Sequence, residues 1–390
     1  MRDRDIAIVS IARTPVGRAN RGTLRDTRPD TLAAIAIKEA LRRAHTLDPK
    51  LLEDVCLGCA MPEAEQGMNV ARIASALAGV PNEVPAITVN RFCSSGLQAL
   101  AYAAGRIALG GIEIAVAGGV ESMSMVPMGG AKPSAHPELF DRYPEAYTAM
   151  GITAENVARR FDVSRRMQDE FAYGSQMKAA AAQQAGKFVE EIVPVQTRVF
   201  NDDGSASEVT LTEDECPRAD TTLEGLAKLK PAFDTQGTVT AGNASVVSDG
   251  AAAAVLMSRE KAEELDLEVL GYFRHFVVVG VDPEIMGVGP LPAIRKLCTV
   301  AAVNLDEIGC FEINEAFAAQ AAYCVRELGI DPAKVNPNGG AIALGHPLGG
   351  TGAVLSAKLL HEMKRSRIRY GVVSMCIGGG MGAAGLFERP

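Results

Sequence analysis

Apolar residues along this chain alternate between two spacings. Residues 6–11 are almost continuously apolar, which predicts a buried strand, and Arg13-Thr14-Pro15 turns out of it. Across 31–43, Leu32, Ile35, Ala36, Ala40 and Leu41 share one helical face. Residues 54–57 read as a strand, 69–77 as a helix, and 85–89 as a short β-branched strand opened by a proline. From Ser94 the period is helical again (Leu97, Leu100, Ala104, Ile107) until Gly110-Gly111, and 112–117 is a strand ending in Gly118-Gly119. This βαβα alternation predicts a mostly parallel sheet covered by helices.

Past Glu121 the rhythm is lost. Residues 122–147 are rich in Met, Gly and Pro, 151–186 are helical with Ser164 capping the run 165–184, and 200–222 are polar and loop-like. We read 1–120 as one α/β half, 121–250 as an inserted loop domain covering a site, and 251–390 as a second α/β half. The alternative is that the end of the insertion rejoins the first half. From Val269 the rhythm returns. A strand falls within 305–313, Asn314-Glu315-Ala316-Phe317 opens a helix, and 334–352 is glycine-rich. A helix follows, marked by Val354, Leu355, Leu359 and Met363 and closed by Lys364 and Arg365. The strand 370–375 then runs into Cys376-Ile377-Gly378-Gly379-Gly380. Val89-Asn90 and Val335-Asn336 each lead through small residues into a helix, then a strand ending in glycines. Duplication of one α/β unit would explain the echo; chance likeness of generic segments is the alternative.

Composition narrows the classes. A chain of 390 residues exceeds one ordinary core. A net charge of -8 argues against non-specific nucleic-acid binding, while a phosphorylated small ligand needs only a local basic cluster. No apolar run is long enough to span a bilayer, so no membrane partner is expected. Met1-Arg2-Asp3-Arg4-Asp5 does not read as a secretory leader, nor Phe387-Glu388-Arg389-Pro390 as a peroxisomal address. The eight cysteines are therefore expected as free thiols in the cytoplasm.

Three of the reactive side chains stand out. Cys93 falls between a strand and a helix start, where unpaired N–H groups and a partial positive charge are expected to lower a thiol pKa. A buried structural cysteine fits the same stretch. His346 lies in Gly345-His346-Pro347-Leu348-Gly349-Gly350-Thr351-Gly352, and its flanking glycines point to function rather than packing. His45 and His361 are expected on exposed helix faces. Cys376 is expected at the C-terminal end of a strand, where open α/β sheets bind ligands. Two thiols and an imidazole at separate loop tips suggest a nucleophile, a base and an acid. The one C-x-x-C, Cys56/Cys59, has no second pair, so burial is expected and no metal site. Gly380-x-Gly382-x-x-Gly385 matches a dinucleotide-binding pattern, but too little chain follows to complete it.

Taken together, the motifs resemble the thiolase family along nearly the full length. The matching tracts are Val89-Asn90-Arg91-Phe92-Cys93-Ser94-Ser95-Gly96, Gly118-Gly119-Val120-Glu121-Ser122-Met123-Ser124 and Lys228-Leu229-Lys230-Pro231-Ala232-Phe233. They continue in Thr240-Ala241-Gly242-Asn243-Ala244-Ser245, Asn314-Glu315-Ala316-Phe317, Gly345-His346-Pro347 and Cys376-Ile377-Gly378-Gly379-Gly380. The resemblance implies the thiolase fold: two similar α/β halves stacked as alternating helix and sheet layers, with an inserted loop domain. It implies Cys93 as acyl-accepting nucleophile, His346 as its activator and a ligand of the thioester oxygen, and Asn314 as holder of a water there. It implies Cys376 as acid/base at the acetyl-CoA α-carbon, and the N–H groups of Cys93 and Gly378 as a second oxyanion hole. Coenzyme A, a co-substrate rather than a tightly bound cofactor, would lie near Met150, Arg218, Phe233, Ala241, Ser245, Ala316 and Phe317.

The activity implied is that of a degradative 3-ketoacyl-CoA thiolase, an acetyl-CoA C-acyltransferase working on acyl-CoA, acetyl-CoA and CoA in fatty-acid β-oxidation, as a homodimer or dimer of dimers. Family members acting on acetoacetyl-CoA carry His-Met-Gly where this chain has Ala149-Met150-Gly151, which favours longer acyl chains. The alternatives are an acetoacetyl-CoA thiolase of a biosynthetic pathway, and a non-catalytic thiolase-like protein binding acyl-CoA or lipid. Intact Cys93, His346 and Cys376 speak against the last. Arg218, Lys228 and Lys230 offer local positive charge for a phosphorylated ligand, or are solvated surface.

Overall fold

A computed structural model describes residues 5–201 and 203–390; residues 1–4 of the charged opening and Asp202 of the polar stretch lie outside it. The strands are β1 (Ile6–Arg13), β2 (Gly17–Arg18), β3 (Asp54–Gly58), β4 (Ala86–Val89), β5 (Ile114–Ser122), β6 (Val195–Phe200), β7 (Ala206–Leu211), β8 (Ser248–Ser258), β9 (Gly271–Gly280), β10 (Ile308–Ile313), β11 (Tyr370–Ile377) and β12 (Met381–Glu388). All but β6 and β7 belong to one sheet, in the order β10-β11-β12-β9-β1-β8-β5-β3-β4, with β2 beside β8.

That order contains a repeat. The first half reads β4-β3-β5-β8-β1 from its outer edge. The second reads β10-β11-β12-β9, and its outer edge is completed by a parallel bridge from Phe311 to Val335. Ranked by chain position within each half, both follow 3-2-4-5-1. The Val89/Val335 echo thus marks equivalent places, and the duplication outweighs chance likeness. A short antiparallel contact, Ala7 to Tyr272 and Ile8 to Gly271, joins the halves.

Strand alternation builds five layers. Along β8, Ala251, Ala253, Val255 and Met257 face helices Pro29–Arg43 and Val70–Ala78, while Ala252, Ala254 and Leu256 face inward. The inward side meets helices Ser95–Ala108 and Leu348–Ser366, whose other side packs on Val373, Met375, Ala383 and Phe387 of the second half. Beyond β10–β12, the residues Val372, Ala384 and Leu386 pack on helices Pro290–Ala301 and Ala318–Leu328. The two central helices are equivalent in the repeat, and they touch at glycines. A Cβ on Gly352 would lie 2.2 Å from Leu97 N, and one on Gly96 would lie 2.8 Å from Ala353 N. Any larger residue would push the helices apart, and with them their N-terminal ends.

Several expectations are corrected. The sheet is mixed rather than mostly parallel: β3 runs parallel to β4 and β5, and β10 to β11, but β8, β9 and β12 pair antiparallel. The second half does not begin at 251, because β8 pairs with β5 and β1. β5 does not end at Gly118-Gly119 but runs through to Ser122. Those glycines admit neighbouring backbone, since a Cβ at 118 would lie 2.1 Å from Ala252 O and one at 119 lies 2.2 Å from Gly349 O. The polar stretch 200–222 contributes to a hairpin, β6–β7, whose residues are mostly exposed on both faces and so leave no hydrophobic alternation to read. His361 is buried, only 8% exposed, because helix Leu348–Ser366 is enclosed on all sides over most of its length.

The inserted region is held to the body by buried charges. Arg13, at the end of β1, donates through Nε to Glu191 at 2.8 Å and through both terminal nitrogens to Asp214 at 2.7 and 2.8 Å. Glu315 accepts from Ser175 of helix Arg165–Gln184 at 2.6 Å, from Asn336 at 2.7 Å and from the Ile342 N–H at 3.2 Å.

Candidate active site

Cys93 sits in a 3-10 turn, Phe92–Ser94, between β4 and helix Ser95–Ala108. Local sequence builds the turn. Asn90 Oδ1 accepts from the Phe92 N–H at 2.8 Å, and Ser95 Oγ donates to Phe92 O at 2.7 Å while accepting from the Arg91 N–H at 2.8 Å. Phe92 itself has φ +43°, a strained conformation for a bulky residue, and it immediately precedes the thiol.

His346 lies just before helix Leu348–Ser366. The helix packing that brings the two central helices together also brings their starts together, so Cys93 and His346 line one cavity of about 350 Å³. Its apolar wall includes Met61, Met123, Met128, Tyr147 and Met286. Gly349 and Gly352 beside His346 are demanded by packing, contrary to the expectation, since a Cβ on Gly349 would lie 2.6 Å from Ala60 N.

Cys376 is near the C-terminal end of β11 and fully buried, packed among Ala154, Met286, Ala316 and Phe317. Asn314 follows β10, with Nδ2 3.3 Å from His346 Nε2; its buried Oδ1 has no partner among the described residues. His346 Nδ1 lies 2.6 Å from Thr351 Oγ1. Gly378 precedes two glycines with φ +78° and +82°, and it lines the cavity with Cys93.

The electrostatics differ from the expectation. Burial pushes the Cys93 thiol up to about 11, although the N–H groups of Gly378 and Cys93 pull the other way. Loss of water around the largely buried sulfur outweighs those donors. Burial raises Cys376 well above the ordinary thiol range, and ionisation of Cys93 would raise it further. His346 is lowered to about 4 by burial. At neutral pH the resting site therefore holds two thiols and a neutral imidazole.

The residues expected near coenzyme A divide. Met150, Ser245, Ala316 and Phe317 line the cavity. Phe233 is half-exposed and stands edge-on to Phe317 at 6.0 Å, while Ala241 and Arg218 are exposed and off the cavity wall. Ala149 is exposed too, and Thr148 and Met150 reach the wall in its place. Two contacts escaped sequence reasoning. Thr351 follows His346 by five residues in a tract chosen for its histidine. Glu121, inside a recognised tract, accepts from the N–H groups of Ala60 at 2.8 Å, Met61 at 3.1 Å and Gly349 at 2.8 Å, and from Gln66 Nε2 at 2.7 Å.

Two similar α/β halves, with a thiol and an imidazole at the starts of paired central helices, define a class, and comparison with known proteins agrees. The family pattern described as thiolase, N-terminal domain, matches residues 6–260, and that described as thiolase, C-terminal domain, matches 267–389. The chain belongs to the thiolase family. It is 55% identical to the 3-ketoacyl-CoA thiolase of Bacillus subtilis (strain 168) over 389 residues, 99% of each chain. The solved dimeric peroxisomal thiolase of Saccharomyces cerevisiae matches with TM-score 0.88 and 43% identity, covering 100% of this chain and 98% of that one. The Bacillus anthracis acetyl-CoA acetyltransferase matches with TM-score 0.91 and 40% identity, covering 99% of both.

Proposed function

We propose that this chain is an acetyl-CoA C-acyltransferase that cleaves 3-ketoacyl-CoA with CoA, reversibly, through an acyl group carried on Cys93. His346 takes the Cys93 proton as the sulfur attacks the 3-keto carbon. The resulting oxyanion is met by fixed donors: His346 Nε2 with a water held by Asn314, or the N–H groups of Cys93 and Gly378. Such donors contribute a few kcal/mol each. The bond between C2 and C3 then breaks, and Cys376 gives its proton to the acetyl-CoA enolate. Incoming CoA returns a proton to Cys376 and attacks the acyl-cysteine, and Cys93 leaves with the proton from His346. Exchange of one thioester for another keeps the intermediate close in energy to its neighbours.

The observation that carries this reading is the shared cavity of Cys93, His346 and Gly378, with Cys376 buried against Met286, Ala316 and Phe317 of its wall. Because both partners are neutral at rest near neutral pH, transfer of the Cys93 proton to His346 accompanies attack on the substrate. The apolar, methionine-rich wall favours acyl chains longer than acetoacetyl. Methionine is flexible enough to fit several lengths. Likeness to an acetyl-CoA acetyltransferase keeps the short-chain reading in play. A thiolysis series from acetoacetyl-CoA to 3-ketodecanoyl-CoA decides between them: a strong preference for acetoacetyl-CoA overturns the longer-chain reading.

The proposed setting is fatty-acid β-oxidation in the cytoplasm, with acyl-CoA, acetyl-CoA and CoA as the partners. No helix among the described residues is long and apolar enough to cross a membrane. The proposed assembly is a homodimer or dimer of dimers. β4 is an outer edge strand, and Met68, Ile73, Leu77 and Phe92 are exposed on or next to the segments flanking it. Unpaired edges of this kind are covered in native proteins. Light scattering that reports a monomer at micromolar concentration contradicts the assembly.

A further inference from the structure

The imidazole of His346 is held from behind by a hydroxyl. Its Nδ1 is 2.6 Å from Thr351 Oγ1, and the two residues are 5% and 1% exposed. Thr351 lies in the first turn of helix Leu348–Ser366, with its N–H donating to Pro347 O at 3.1 Å, so its side chain is fixed relative to the ring. Among the described residues, that nitrogen is the hydroxyl's side-chain partner. The charged groups near Thr351 stand further back: Arg13, Asp214 and Lys358 share with it the wall of a void of about 10 Å³. Arg13 and Asp214 are paired with each other, and Lys358 with Glu312 at 2.8 Å. Glu121 reaches the same helix start through Gly349.

A hydroxyl can do what a carboxylate cannot. It accepts when Nδ1 carries the proton and donates when Nδ1 is bare. The first arrangement leaves Nε2 as a lone pair that can take the Cys93 proton. The second leaves Nε2–H as a donor to a substrate oxygen. A carboxylate there would favour the first arrangement alone and add a buried charge. Asn314 beside Nε2 is likewise two-faced, presenting either its amide nitrogen or its unpartnered oxygen.

We infer that Thr351 is the positioning residue of His346, its hydroxyl holding the ring and allowing Nε2 to serve in turn as proton acceptor and as hydrogen-bond donor. This rests on the roles proposed above for Cys93 and His346. Thr351→Val keeps the shape and removes the hydroxyl, and Thr351→Ser keeps the hydroxyl. For Thr351→Val, kcat for thiolysis should fall about 10- to 100-fold, the loss typical of an orienting partner, with KM within about threefold. Thr351→Ser should recover kcat to within about threefold of the parent. The readout that packing alone would not move is the pH dependence of Cys93 alkylation by iodoacetamide, whose midpoint should rise in Thr351→Val and return in Thr351→Ser. His346→Ala separates the two claims. If His346→Ala leaves the alkylation profile unchanged, the base role of His346 fails. If His346→Ala shifts it and Thr351→Val does not, or if Thr351→Ser is as impaired as Thr351→Val, the role of Thr351 is overturned.

Discussion

Glu121 of the first half accepts a hydrogen bond from the Gly349 N–H of the second at 2.8 Å, and the same carboxylate holds Ala60, Met61 and Gln66. One buried acid thus joins the two halves beside the helix start that follows His346. Glu121→Gln replaces part of this acceptor with an amide nitrogen that faces donors. It should destabilise the fold by about 1–3 kcal/mol, read by urea unfolding. Thiolysis should fall more than stability does, because the His346 end of the site moves.

The central helices meet at glycine, and this gives a paired test. Gly352→Ala places a Cβ 2.2 Å from Leu97 N and should lower Tm and kcat together. Gly105→Ala lies in the partner helix with nothing within 4 Å of the added carbon. It should stabilise by about 0.5–1 kcal/mol and leave kcat alone. Equal effects in thermal melts would contradict the packing account.

Arg13 is 1% exposed and carries both Glu191 and Asp214 of the inserted region. Arg13→Ala leaves two buried carboxylates without their cation and should cost about 3–5 kcal/mol. Arg13→Lys should recover only part, because an ammonium cannot make the two parallel bonds to Asp214. Chemical denaturation of the three proteins measures the order.

Burial lowers His361 to about 4, helped by the nearby Arg43, Arg365, Lys364 and Arg13. The unfolded chain takes up this proton near pH 6.5 and the folded one near 4. The group's stabilising contribution is therefore present above pH 6.5 and lost as pH falls through that window. The change is at most about 3 kcal/mol, and less if Glu190 at 3.7 Å pairs with the charged ring. His361→Leu should flatten the stability–pH curve between 6.5 and 4 without changing thiolysis at neutral pH. His346, lowered to about 4 by burial alone, adds a slope of the same sign that should persist in that variant.

The two α/β halves were legible because helices such as 31–43 and strands such as 6–11 obey their own periods. The placement of Cys93 and His346 on one cavity wall, and of Cys376 near a strand end, was legible because these side chains stand where elements begin or end; the glycines after His346 answer to packing instead. What escaped depended on distant partners. Nothing local to Cys93 says that enclosure would outweigh the helix start and raise its pKa. Nothing near Gly352 says that Leu97 of the other half sits against it. The hairpin β6–β7 buries almost nothing, so its alternation carries no hydrophobic mark. His361 looked exposed because its helix was read as having one outer face, whereas that helix is enclosed by both halves.

The most direct measurement is stoichiometric acylation by radiolabelled acetyl-CoA, with the label mapped by peptide mass spectrometry. The account predicts one acetyl group per chain on Cys93, none on Cys93→Ala, and retained label on Cys376→Ser with carbon–carbon cleavage lost. Label of equal stoichiometry on Cys93→Ala would contradict it.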